Sequence, residues 1–85
     1  MPRKHPIRLG LACLLIDRGP CGFDDVLESL SEMYPGEKVI NVKDVTEHIQ
    51  SLLAVGFVES RMEDQRKVEV YYITEYGREK VARLT

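Results

Sequence analysis

Hydrogen-bonding side chains recur at three- and four-residue spacing between positions 43 and 50 of this chain. They are Lys43, Thr46, Glu47 and Gln50. On an α-helix this spacing places all four on one face. Lysine can reach guanine edges or phosphates, glutamine can pair with adenine, threonine can contact the thymine methyl group, and glutamate can accept from the cytosine amino group. The alternative interpretation is a helix face that meets only water.

Basic residues form a second set of candidates, because lysine and arginine neutralise phosphates. Arg66 and Lys67 lie in a polar turn between two short β-branched or aromatic stretches, and Arg61 lies in the first of these stretches. Turn residues of this type are otherwise simply solvated. Arg3 and Lys4 fit either a minor-groove arm or an unordered terminus. In the free protein we expect them to be unordered.

The charge is distributed unevenly along the chain. The net charge of −2 argues against indiscriminate nucleic-acid binding. Residues 17–47 hold eight acidic and three basic residues, a net charge of −5, and the remainder therefore carries +3. A dipolar domain of this kind can still present one basic edge to a duplex.

Several classes of site are not expected. Cys13, Cys21, His5 and His48 lack the spacing of a zinc site, and Cys13 lies in an apolar run typical of a buried, reduced thiol. No nucleophile with a base, glycine-rich phosphate loop or pair of carboxylates in an apolar pocket can be assembled, so we expect no enzyme, cofactor or metal.

The longest apolar run, residues 11–16, is far shorter than the roughly 18 to 20 residues that span a bilayer. The first four residues lead into no cleavable signal pattern. We therefore expect no membrane association and a location in the cytoplasm.

Helices and strands must position the candidate residues. Capping residues, prolines, glycines and the apolar periodicity of the chain predict where these elements lie. We expect helices at 6–18, 23–34, 42–55 and 75–84 and a β-hairpin at 57–73. Asn41 is placed to cap the third helix and Thr74 the fourth, and Gly56 suits a left-handed C-terminal cap. Ile40 and Val45 are spaced as a hydrophobic staple.

Apolar periodicity predicts which side of each helix is buried. The first helix is apolar nearly all round, which places it centrally or partly against another subunit. The stripes predicted for the later helices are as follows: Val26, Leu27, Leu30 and Met33; Val42, Val45, Ile49, Leu52 and Leu53; Val81 and Leu84.

This order of three helices, a hairpin and a short helix predicts a single domain over residues 1–85 of the α+β class. The fold predicted is a winged helix-turn-helix, with a three-helix core, a two-stranded β-hairpin wing and a short C-terminal helix.

Short motifs of the chain also resemble PadR-type transcriptional regulators. Gly19-Pro20 with Gly22-Phe23 is similar to the start of that family's second helix, and residues 49–59 are similar to its passage from recognition helix to wing. Residues 71–75 with Gly77 resemble the return strand of the wing, a pattern shared with MarR-type regulators.

The resemblance implies a DNA-binding transcriptional regulator that reads double-stranded DNA with the third helix and the wing. Two-fold operators favour dimeric readers, so we also expect a homodimer with the first or last helix at its interface. The alternative is a winged helix that binds a protein partner and not DNA. The acidic second helix favours this alternative.

Overall fold

The computed structural model describes residues 6–38 and 40–84. Its elements, in chain order, are α1 (Ile7–Arg18), β1 (Cys21–Gly22), α2 (Phe23–Met33), α3 (Val42–Ala54), β2 (Val58–Glu63), β3 (Val68–Ile73) and α4 (Glu75–Leu84). The four predicted helices and the predicted hairpin are confirmed, with ends that differ by at most one residue.

The sheet has one strand more than the sequence predicts. β2 and β3 pair antiparallel from Val58 opposite Ile73 to Glu63 opposite Val68, which is the wing. β1 adds to the other side of β3, with Cys21 opposite Tyr71, and the strand order is β1-β3-β2. Two residues are too few to show an alternating pattern, so β1 left no signal in the sequence.

α1 lies at the centre of the fold, as its apolar sequence predicts. Leu11 and Leu15 are completely buried, and the helix contacts α2, α3, α4 and β3. The other large side chains that are fully buried are Val26 and Leu30 of α2, Val45 of α3, Val58 of β2 and Val70 of β3.

Three residues predicted in buried stripes are exposed. Val42 is 61% exposed, Leu84 67% and Met33 39%. Each lies in the first or last turn of its helix, where the neighbouring elements no longer cover the apolar stripe. The helical period therefore predicts burial correctly in the middle of these helices and not at their ends.

Within residues 6–38 and 40–84, no helix is long and apolar enough to cross a membrane. The same residues contain no group of three or more His, Cys, Asp or Glu side chains that could hold a metal ion. Cys13, which is half-buried, and Cys21, which is buried, are free thiols.

Candidate nucleic-acid interface

The start of α3 is fixed by Asn41, as the sequence predicts. The Asn41 side-chain oxygen accepts from the Asp44 backbone N–H at 2.9 Å, and its amide donates to the Asp44 carboxylate and to the Lys38 carbonyl, both at 2.8 Å. The carboxylate of Asp44 is thus engaged in the cap. At the other end Gly56 has φ 82°, the predicted left-handed conformation.

The outward face of α3 carries the predicted polar side chains. Lys43, Glu47 and Gln50 are exposed, while Val45, Ile49 and Leu52 point into the core. The helix therefore presents one cation, one anion and one amide to the outside along its length. These are three different hydrogen-bonding chemistries within two turns.

Thr46 is half-buried at the edge of this face. Its hydroxyl donates to the carbonyl oxygen of Val42 at 2.6 Å, one turn earlier in the same helix. The donor capacity of this hydroxyl is used inside the helix, so towards a partner Thr46 can offer only its acceptor lone pairs or its γ-methyl group.

A shallow cleft separates α3 from the wing. Thr46 and Gln50 line it on the helix side, and Tyr71 and Glu69 of β3 line it on the sheet side. The Tyr71 hydroxyl donates to the Glu69 carboxylate at 3.0 Å, and burial followed by this hydrogen bond raises the pKa of Tyr71. Sequence reasoning missed both wing residues, since only the folded hairpin brings them to α3.

Arg61 lies on the opposite face of the wing. It pairs with Val70, so it alternates with Tyr71 and Glu69, which face the cleft. Its guanidinium lies 5.8 Å from the ring centroid of Tyr72, whose hydroxyl donates to Glu59 at 3.0 Å. The structure thus places Arg61 on the wing, as predicted, but away from the exposed face of α3.

The tip of the wing carries the other two predicted cations. Arg66 is exposed and forms an ion pair with Glu63 at 2.8 Å, and this hydrogen bond lowers the pKa of Glu63. Lys67 is exposed with φ 55°, and its backbone N–H donates to the Glu63 carbonyl at 2.7 Å. Arg66 and Lys67 are therefore held at the end of a projecting hairpin.

Acidic residues at the start of α2 lie near this tip. Asp24, Asp25 and Arg66 line one shallow depression together with Glu69. No local pattern predicts this proximity, because 41 positions separate Asp25 from Arg66. The wing tip therefore has a basic end and an acidic flank.

The remaining residues named from the sequence are His48, Arg3 and Lys4. His48 accepts a hydrogen bond from the Arg8 guanidinium of α1 at 3.0 Å, so it links two helices at the surface. Arg3 and Lys4, the predicted minor-groove arm, lie outside the described residues.

Comparison with known proteins supports the fold and leaves the family open. No family model and no curated protein sequence matches the chain. Among solved structures, the crystal structure of SSV1 F-93 is similar to it with a TM-score of 0.69 and 24% identity over 99% of this chain and 86% of that chain. At this identity the likeness concerns the fold alone, and the resemblance to PadR-type regulators stays a prediction. The chain has a winged-helix fold.

Proposed function

We propose that the protein binds double-stranded DNA as a transcriptional regulator, with α3 in the major groove and the tip of the wing against the phosphate backbone. The observation that carries this proposal is the exposed polar face of α3 beside a hairpin that ends in Arg66 and Lys67. In winged-helix and related domains the recognition helix reads base edges and adjoining segments contact the backbone. The proposed function involves no catalysis.

The charges around this surface favour selective over indiscriminate binding. Arg66 is paired with Glu63 before DNA arrives, so contact with a phosphate exchanges one anionic partner for another. Glu47 on α3 and Glu69 on β3 repel phosphates that approach at random. Favourable base contacts are then needed to offset this repulsion.

The test is fluorescence anisotropy with a random-sequence duplex at about 50 mM salt, repeated at rising salt. Removal of two phosphate contacts by R66A/K67A should weaken binding to every sequence and lower the salt slope by about two. The matched control is R78A/K80A, which removes the same charge from α4 and should leave the slope unchanged.

Two outcomes contradict DNA binding. One is R66A/K67A affinity equal to that of the unmodified protein, and the other is no retention of any duplex at this salt. Either result would favour the second candidate function, a winged helix that binds another protein.

We also propose that the protein is a homodimer. An apolar groove of about 440 Å³ runs between α1, the end of α3 and α4. Two exposed apolar side chains line it, Val55 at 58% and Leu84 at 67%. α4 has Glu75 in its first turn and Arg83 in its last, so two copies of α4 packed antiparallel bring opposite charges together.

The same groove is the observation that favours the protein-binding alternative. It is accessible in the single chain and its lining is almost entirely apolar, including Leu9, Ala12 and Phe57. A heterologous partner would fill it without two-fold symmetry. The oligomeric state of the isolated protein therefore distinguishes a second copy of the chain from a different protein as the occupant of the groove.

A further inference from the structure

Val42 is an apolar residue in an unexpected place. It is the first residue of α3, directly after the Asn41 cap, and is 61% exposed. An apolar side chain stabilises the fold by being removed from water, so an exposed valine contributes little of this kind. Val42 is therefore available for a partner at the end of the helix where recognition helices contact base edges.

Val42 is not part of the apolar groove described above. Ser51, Leu52 and Val55 line that groove at the other end of the helix. At a rise of about 1.5 Å per residue, Val42 and Val55 lie roughly 20 Å apart along the helix axis. A partner in the groove therefore does not reach Val42.

Thr46 extends the apolar surface of Val42. The two residues are four positions apart, so they are neighbours on the helix surface. The Thr46 hydroxyl donates to the Val42 carbonyl, so the Thr46 side chain is tied to the turn that carries Val42. Lys43 lies next to them on the exposed face.

We propose that Val42 and the γ-methyl group of Thr46, here called the methyl patch, recognise the C5-methyl group of a pyrimidine in the major groove. This inference rests on the proposed DNA binding. Thymine is the base that presents such a methyl group there, and apolar side chains contact it. 5-Methylcytosine carries the same group at the same position. The patch selects for this methyl group, while Lys43 contacts a nearby guanine edge or phosphate.

The experiment begins with a duplex selected by the protein from a random 25-base-pair pool. Each thymine of this duplex is then replaced in turn by uracil, which removes only the C5-methyl group. Burial of one methyl group corresponds to a loss of about three- to five-fold in affinity. We expect this loss at one or two thymines for the unmodified protein and no loss at these positions for V42A.

Two further variants separate the methyl group from other effects. T46S keeps the hydroxyl that bonds to Val42 and lacks the methyl group, so its sensitivity to uracil should fall. M33A removes an exposed apolar side chain outside the proposed interface, at the end of α2, and should retain the full sensitivity at these thymines. Since Val42 is exposed, V42A should also keep the melting temperature of the unmodified protein.

The outcomes distinguish this inference from the function on which it rests. A gain in affinity only when 5-methylcytosine replaces cytosine, abolished by V42A, would support the methyl patch with 5-methylcytosine as its target. If duplexes bind but all methyl substitutions are neutral, or V42A is as sensitive as the unmodified protein, the methyl patch is wrong and DNA binding stands. If no duplex binds, both fail.

Discussion

Neighbouring residues of α3 divide between the core, where they stabilise the fold, and the surface, where they are available for binding. Val45, Ile49 and Leu52 are nearly or fully buried, while Glu47 and Gln50 between them are exposed. A substitution on one side of the helix therefore changes folding, and a substitution on the other changes what the helix can bind. The 3.6-residue period predicts this division from the sequence.

Leu52→Ala should lower the free energy of unfolding by about 2 to 5 kcal/mol, because it removes buried apolar contacts and leaves a cavity. Gln50→Ala, on the exposed face, should cost about 0.5 kcal/mol or less. Urea titrations of the two variants measure both values. Equal losses would mean that the buried side of α3 is wrongly assigned.

The two cysteines should react slowly in the folded protein. Burial raises the pKa of Cys21 and, together with Asp17, the pKa of Cys13, so the reactive thiolate is scarce at neutral pH. Alkylation by iodoacetamide at pH 7.5 should be slower than for an unfolded control in urea. Labelling of both thiols at the rate of free cysteine would contradict this.

At the scale of elements, hydrogen bonds of Thr74 hold the start of α4 against the segment between α3 and the wing. The Thr74 hydroxyl donates to the Gly56 carbonyl at 2.7 Å and accepts from the Gly77 N–H at 2.9 Å. A Cβ atom at Gly77 would collide with the backbone of Phe57. Thr74 as a helix cap was predictable from local sequence, whereas the close approach at Gly77 depends on packing between distant segments.

Gly77→Ala should therefore destabilise the fold by about 1 to 3 kcal/mol, because backbone at a tightly packed junction cannot easily move away. Gly22→Ala is the matched control, since the nearest atom to its Cβ would be the Glu69 carbonyl oxygen at 3.7 Å, an ordinary contact distance. Thermal melts should show a clearly larger loss for Gly77→Ala. The prediction fails if the two variants melt alike.

At the scale of the whole molecule, signals within one element were predictable and contacts between elements were not. Asn41, Gly56 and Thr74 mark helix ends by their own chemistry, so the helices and the wing followed from the sequence. The cleft lined by Glu69 and the approach of Asp25 to Arg66 arise only when β3 and α2 fold against their neighbours. No local pattern encodes such pairings.

The proposed homodimer gives the prediction for the assembled molecule. Leu84→Glu places a charge in the apolar groove and should convert a dimer into a monomer of 9.8 kDa in sedimentation equilibrium. Met62→Glu is the control, because Met62 is 60% exposed on the wing. It should leave the dimer intact. A monomeric unmodified protein at high micromolar concentration would overturn the proposal.

Lys67 adopts a left-handed backbone conformation that glycine or asparagine accepts more readily. Lys67→Gly should raise the free energy of unfolding by about 1 kcal/mol and, if the side chain holds a phosphate, weaken DNA binding at the same time. Stability and binding then favour different residues at one position. In natural variants of this protein, we expect glycine here to accompany the loss of DNA binding and lysine or arginine to persist where binding is under selection.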